Sequence, residues 1–117
     1  MTQVRARVPV FGLVVDDQTR CAHWHGETDV IAMRFACCDR YYPCYDCHAE
    51  TADHPSSLWP VGRFDEPAVL CGVCRSGLTA TTYRAISALA APACPHCAAL
   101  FNPGCALHAP LYFEASD

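Results

Sequence analysis

Cysteine and histidine alternate along this chain in an order that few folds can accommodate. The run is Cys21-x-His23, Cys37-Cys38, Cys44-x-x-Cys47-His48, His54, Cys71-x-x-Cys74, Cys94-x-x-Cys97 and Cys105-x-x-His108. A disulfide framework has no use for interleaved histidines, whereas borderline-soft Zn²⁺ accepts thiolate sulfur and imidazole nitrogen in one tetrahedral shell. Composition points the same way. Of the 52% hydrophobic residues, 18 are Ala and 10 are Cys, which leaves 33 larger apolar side chains in 117 residues to fill an interior. A core that thin needs staples. The length suits one domain, or two small lobes sharing a wall, since single domains usually run to roughly 100 to 200 residues.

The second half carries the cleaner spacing. Cys71-Gly72-Val73-Cys74 and Cys94-Pro95-His96-Cys97 are two tight loops, each bending two sulfurs toward one ion, and together they close a site of four thiolates. Gly72 is read as supplying a backbone conformation that other residues resist, and Pro95 pre-sets the second turn. In the first half two sites are wound into one stretch. Cys21 and His23 share a face of an extended segment, and Cys44 with Cys47 completes a set of three thiolates and one imidazole. His48 then points away and joins His54 at a second ion, with Cys37 and Cys38 as the remaining ligands. Adjacent strand residues diverge, so that pair can meet one ion only across a turn or bulge; the rival partition sends one of them to each ion, and spacing does not decide between the two.

Between the Cys-x-x-Cys loops, Leu78 to Ala91 places Leu78, Thr82, Tyr83, Ile86, Leu89 and Ala90 at helical intervals. The spacing predicts an amphipathic helix packed over the four-thiolate site, capped by Ser76 or Thr79 and stopped by Pro92. Val8 to Val15 reads as a strand, and so does Leu111-Tyr112-Phe113. The fold class expected is a small metal-stabilised α+β fold: irregular, short β-hairpins plus one helix, in two zinc-bound lobes. The organisation expected is an N-terminal strand segment over 1–13, a finger domain over 14–113 with lobes at about 14–54 and 59–113, and a tail over 114–117.

The residues TRCAHWH, FACCDRYYPCYDCHAETADH, CGVC and CPHC resemble the CHY-type zinc finger, a domain found at the N-terminus of certain RING-type ubiquitin ligases and also as short free-standing members in bacteria and fungi. Trp24 stands where the family's tyrosine usually does. The resemblance implies three zinc ions, held by Cys21, His23, Cys37, Cys38, Cys44, Cys47, His48, His54, Cys71, Cys74, Cys94 and Cys97. No RING follows in this sequence, so ligase activity is not implied. One of the short members is similar to a helper for small chaperones of the mitochondrial intermembrane space.

Other readings fall to charge and spacing. The formal charge is −4, and all eight basic residues are scattered arginines; nine thiolates against three dications would take it to about −7. Clustered cations for a phosphate backbone are missing, which argues against nucleic acid. Catalytic zinc keeps an open position beside a working carboxylate, whereas here ligands come in fours, and Glu50, two past His48, only echoes a deaminase signature. The chain reads as no enzyme. Cys105 and His108 are read as a buried thiol and a hydrogen-bonded histidine in preference to a fourth, open site, and His25 and His96 have weaker claims still. No run of about 20 apolar residues spans a bilayer, and no cleavage pattern follows the first apolar stretch. A cytoplasmic, reducing setting is expected. The function expected is a zinc-structured module that presents a surface, including Trp24, Tyr41, Tyr42 and Trp59, to a protein partner, with Trp59 read equally as a plug between the two lobes; the alternatives are a zinc-handling or thiol redox helper and, less so, a zinc hydrolase or deaminase.

Overall fold

The computed structural model describes residues 9–16, 18–102 and 109–114. Cys105 and His108, and with them the question of a fourth site, lie outside the described residues.

Four short strands form one antiparallel sheet in the order β2-β1-β3-β4: β1 (Ile31–Phe35), β2 (Arg40–Tyr42), β3 (Pro67–Cys71) and β4 (Gly77–Thr79). Strand β1 is buried along nearly its whole length. Its odd positions Ile31, Met33 and Phe35 enter the main core with Val69, Leu78 and Tyr83, while Ala32 meets Leu70 and Tyr41 on the opposite face, as the two-residue period of a strand requires. Pairing of β1 with β3 sets Ile31 against Cys71 and Met33 against Val69. The wall shared by the two halves of the chain is therefore a hydrogen-bonded sheet.

Both hairpins of that sheet turn on cysteines. The β1–β2 turn carries Cys37 and Cys38, and the β3–β4 turn carries Cys71 to Cys74. Because Ile31 at the start of β1 lies beside Cys71 at the end of β3, the two turns sit at opposite ends of the sheet. Three turns share one backbone device. Asp39, Arg75 and Ala98 each adopt a left-handed φ, of 56°, 64° and 65°, and each donates its N–H to the carbonyl four residues back: to Phe35 at 2.7 Å, Cys71 at 2.8 Å and Cys94 at 2.9 Å. In every case the residue just before is a cysteine. Glycine usually fills such a position, since left-handed backbone costs an L-residue about 1–2 kcal/mol.

Helix α1 (Tyr45–Thr51) begins at Cys44, whose sulfur accepts the N–H of Cys47. It adds a second helix beside the one predicted from periodicity. That one, α2 (Ala80–Ser87), is shorter than predicted. Leu78 and Thr79 belong to β4, with Thr79 serving as cap, and the helix stops five residues before Pro92. Beyond its far end Leu89 is 58% exposed. Tyr83 packs against Phe101 and Phe113, at centroid distances of 6.5 and 6.3 Å, so the buried face covers an aromatic cluster instead of the thiolates alone.

Two strand expectations are corrected. Leu111 and Tyr112 close a single helical turn, α3 (Ala109–Tyr112), where the Trp59 N–H donates to the Tyr112 carbonyl at 2.6 Å; Phe113 alone bridges Trp59. The N-terminal segment makes one-residue bridges, Val10 to Tyr41 and Val14 to Cys21, because Gly12 at φ +101° turns the chain between them.

The role read for Gly72 also changes. Gly12 is the one glycine among the described residues at positive φ; Gly72 is required for space, since a Cβ there would lie 2.2 Å from the Gln18 carbonyl oxygen and 2.8 Å from the Thr19 hydroxyl. A methyl forced against fixed backbone costs about 1–3 kcal/mol. Gly72→Ala is expected to lower the stability of the metal-loaded protein by that amount, while Ala98→Gly, which relieves left-handed strain, is expected to raise it by about 0.5–1 kcal/mol. Thermal melts of the three proteins compared side by side check both signs.

Candidate metal centres

Among the described residues three groups of four donor atoms stand out, each with all its atoms within 4.8 Å of one another. Group 1 is Cys21, His23, Cys44 and Cys47; group 2 is Cys37, Cys38, His48 and His54; group 3 is Cys71, Cys74, Cys94 and Cys97. The twelve positions named from the sequence are thus brought together four by four. Cys37 and Cys38 fall in the same group, the arrangement of the first of the two partitions left open above. Both lie in the β1–β2 turn, closed by the Asp39 N–H on the Phe35 carbonyl, with their sulfurs 3.8 Å apart. Exposed His25 and His96 join none of the groups.

The distances test what these groups fit. A tetrahedral Zn²⁺ with bonds of about 2.3 Å to sulfur and about 2.05 Å to nitrogen needs edges of about 3.8 Å between sulfurs, about 3.5 Å between sulfur and nitrogen and about 3.4 Å between nitrogens. Sulfur pairs measure 3.7 Å for Cys21–Cys44, 3.7 Å for Cys71–Cys97 and 3.8 Å for Cys74–Cys94. The His23 Nδ1 lies 3.5 Å from both Cys44 and Cys47, and His48 and His54 bring their Nε2 atoms to 3.2 Å. Two Nε2 atoms and two sulfurs facing one point have little use for each other as hydrogen-bond partners, and much for a shared cation. Every cysteine among the described residues is a free thiol, with sulfurs far beyond the roughly 2.05 Å of a disulfide.

Local structure fixes each donor. Cys44 and Cys47 occupy the N-cap and first turn of α1, and His48, the next residue, leaves that helix about 100° further round to reach group 2. His48 is fully buried. Its ring stacks on Phe35 at 4.3 Å and meets Tyr42 edge-on at 4.8 Å, and this burial, with His54 beside it, holds its pKa below the usual imidazole range, which favours the neutral ligand form. Backbone amides solvate the sulfurs: Trp24 donates to Cys21 and His96 to Cys94, each at 3.3 Å. Gly12 closes group 1 from outside, since a Cβ there would sit 2.7 Å from the Cys47 Cβ and 3.1 Å from its sulfur.

Two carboxylates orient ligands, and neither was assigned that role from sequence. Glu50 Oε2 lies 2.6 Å from His23 Nε2, and Asp53 Oδ1 lies 2.9 Å from His54 Nδ1. Each leaves the opposite ring nitrogen facing its group. Asp53 adjoins its histidine, but Glu50 is 27 residues from His23, and only its place two turns along α1 from Cys44 brings it there. The Glu50 hydrogen bond raises the His23 pKa.

Without a cation, burial makes Cys38, Cys44, Cys47 and Cys71 resist ionisation, whereas at Cys21 and Cys74 burial is outweighed by hydrogen bonds that lower the pKa. Burial, then the neighbouring Cys21 and Cys47 sulfurs, push the Cys44 thiol well above the usual range. Burial pushes Cys71 up to about 12, while Cys74, despite its own burial, is brought down to about 7 chiefly by hydrogen bonds with Ser76. A dication reverses this balance and expels the protons.

The aromatic surface predicted from sequence is mostly interior. Trp59 is 0% exposed, held by its Nε1 donating to the Arg63 carbonyl at 2.7 Å, with the guanidinium groups of Arg63 and Arg34 over its ring at 4.2 and 5.2 Å. Tyr41 and Tyr42 are buried in the sheet, and of the four only Trp24 is exposed, at 40%.

Comparison with known proteins follows this geometry. The pattern of the CHY zinc finger family matches residues 21–84. A Kluyveromyces lactis protein named Helper of Tim protein 13 is 40% identical over 111 residues, covering 95% of this chain and 93% of its own. The Saccharomyces cerevisiae protein of the same name is 44% identical over 106 residues, or 90% of each chain, and an uncharacterised Schizosaccharomyces pombe protein is 40% identical over 110 residues, 94% and 93% of the two. No solved structure matches.

Two outcomes are expected. Glu50→Ala should weaken metal retention at one site of the three by about 10–100-fold, the usual cost of removing a ligand's orienting partner, as read by competition with a chromophoric chelator. Metal binding displaces protons from Cys44, Cys71 and His23, whose pKa values all lie raised in the metal-free groups. Affinity should therefore rise with pH and fall in acid, by about tenfold per pH unit for each proton displaced; the same competition run at about pH 6 and about pH 8 checks the sign.

Proposed function

This chain belongs to the CHY zinc finger family, and we propose that it is a zinc-built, non-enzymatic module that acts by contact with a partner protein. Cys21, His23, Cys44 and Cys47 would hold one Zn²⁺, Cys37, Cys38, His48 and His54 a second, and Cys71, Cys74, Cys94 and Cys97 a third. The observation that carries the reading is the match between the donor separations and the edges of a zinc tetrahedron. What bound zinc supplies is cross-linking of remote segments. The residues do the rest: Glu50 and Asp53 orient imidazoles, backbone amides hold the sulfurs, and Phe35 and Tyr42 keep water from His48. Four donors fill a tetrahedral shell, so no coordination position is left for a reacting water, which supports a structural role over hydrolysis or deamination.

Energetics favour the same role. Structural zinc contributes on the order of 10–16 kcal/mol per site at neutral pH, against a total stability of about 5–15 kcal/mol for an ordinary domain. A protein partner is supported by the relatives named as helpers of Tim protein 13, which this chain matches over nearly its whole length. The exposed strip Phe11, Leu13, Val14 and Val15, continued by Trp24 across the Val14–Cys21 bridge, offers an apolar contact face next to group 1. Nucleic acid is disfavoured because the arginines are engaged within the fold: Arg20 with Asp16, Arg63 with Asp39 and Glu66, and Arg40 over Phe11. Free thiols in such number suit a reducing compartment, which we take to be the cytoplasm. A second reading, a zinc-handling or thiol-exchange helper, is favoured by one observation, the unequal shelter of the three groups.

Elemental analysis of protein purified without added zinc should find three zinc ions per chain, and exhaustive chelation should abolish most of the circular dichroism signal. Purified Tim protein 13 of Saccharomyces cerevisiae should bind the zinc-loaded chain and not the chelated one in a titration calorimeter. A chain that keeps its structure after chelation would sink the structural reading.

A further inference from the structure

The three groups differ in how far they are closed from water. Cys21, Cys44 and Cys47 of group 1 are buried, and group 2 has His48 buried with its other donors half-buried. Only group 3 among them has an exposed donor, Cys97. Its setting is equally open. Cys97 lies in a run of four exposed residues, Pro95 to Ala98, in a turn tied to the fold by the Ala93–Leu100 bridge and by the Cys94 N–H to the Ala99 carbonyl. Across the group, Cys71 ends an interior strand and is fully buried. One side of group 3 is therefore anchored and the other is a surface turn with a left-handed residue next to the outer sulfur.

Connectivity separates the groups in the same way. Groups 1 and 2 are fused, because neighbouring residues Cys47 and His48 serve one each. Group 3 shares no such pair, and the sheet register sets its Cys71–Cys74 turn at the opposite end of the sheet from Cys37 and Cys38.

We propose that group 3 is the point at which this protein exchanges metal with thiols of another molecule, through Cys97, while groups 1 and 2 are permanent framework. The proposal rests on the zinc reading above. In the exchange, an incoming thiol passes its proton to the Cys97 sulfur as the bond from Cys97 to zinc breaks and the bond from the new sulfur forms. One thiolate ligand replaces another, the charge of the site is unchanged, and no electron moves, so no oxidant is involved. Cys71 and Cys74 keep their hold on the ion during that step.

The test uses the full chain with its zinc counted beforehand. Brief pulses of iodoacetamide, followed by peptide mass spectrometry, rank the nine group cysteines by reactivity, and a chromophoric zinc indicator reads release. Cys97 should be modified first, ahead of half-buried Cys74 and at least about tenfold faster than Cys21, Cys44 and Cys47, in line with a lower cost of local opening at an exposed turn. One zinc equivalent should leave in step with it and two should stay. Reduced glutathione should speed transfer of that one ion to the indicator. Labelling led by Cys37 or Cys38, uniform labelling, or loss of three ions together overturns the proposal. The Cys97→Ser variant should retain two ions and its circular dichroism signal and lose the glutathione-sensitive fraction; a variant that loses all three ions overturns the independence of group 3. Protein that contains no zinc refutes the metal reading and this inference with it, whereas three ions released in any other order refutes this inference alone.

Discussion

Four donor atoms pressed to within 4.8 Å of one another form an arrangement that a protein interior resists unless something shares their charge. This happens three times here, and the rest of the architecture is arranged around it. Both hairpins turn on cysteines, one helix is capped by a cysteine sulfur, and the residues that follow the outer cysteines of three turns accept left-handed backbone. The aromatic cluster of Phe64, Tyr83, Phe101 and Phe113 and the interior of β1 and β3 form a real core, but a small one, and the sheet it supports has strands of only three to five residues. Such strands are weak alone. Their turns need fixing from outside the ladder, which a shared cation achieves by tying a turn to a segment remote in sequence.

Much of this was legible in the residue order, because ligand spacing is a local property. Cys44-x-x-Cys47 and Cys71-x-x-Cys74 must bend to converge, and side chains two apart at Cys21 and His23 share a face whatever surrounds them. Family membership then follows from the match over residues 21–84, which holds ten of the twelve positions and leaves Cys94 and Cys97 outside it. The helix at Ala80 was visible in its periodicity, but its end was not, because Leu89 fits the pattern and yet lies exposed.

What stayed hidden depended on contacts remote in sequence or on backbone that side chains do not advertise. Left-handed conformation at Asp39 has no glycine to announce it, and the tight turn that carries Cys37 and Cys38 together was not evident from two adjacent cysteines. Glu50 gave no hint that it would meet His23. Trp59, between two prolines, fitted a presented anchor and a plug between the lobes equally well; two arginines against its ring and the hydrogen bond to Arg63 set it inside. Tyr41 and Tyr42 point to opposite faces of the sheet, and both faces there are covered.

Helix α1 has one further implication, for how the chain tolerates changes in length. Within five consecutive positions, Cys44 to His48, it supplies donors facing two separate centres, and their bearings are set by the angular step of the helix. An insertion or deletion inside that stretch swings the downstream donor by about 100° and spoils both centres at once, Glu50 included. Segments such as 55–58 and 88–91 carry no such geometric debt. Natural and engineered indels should therefore collect in those connectors and spare the helix, whatever residues occupy its exposed face.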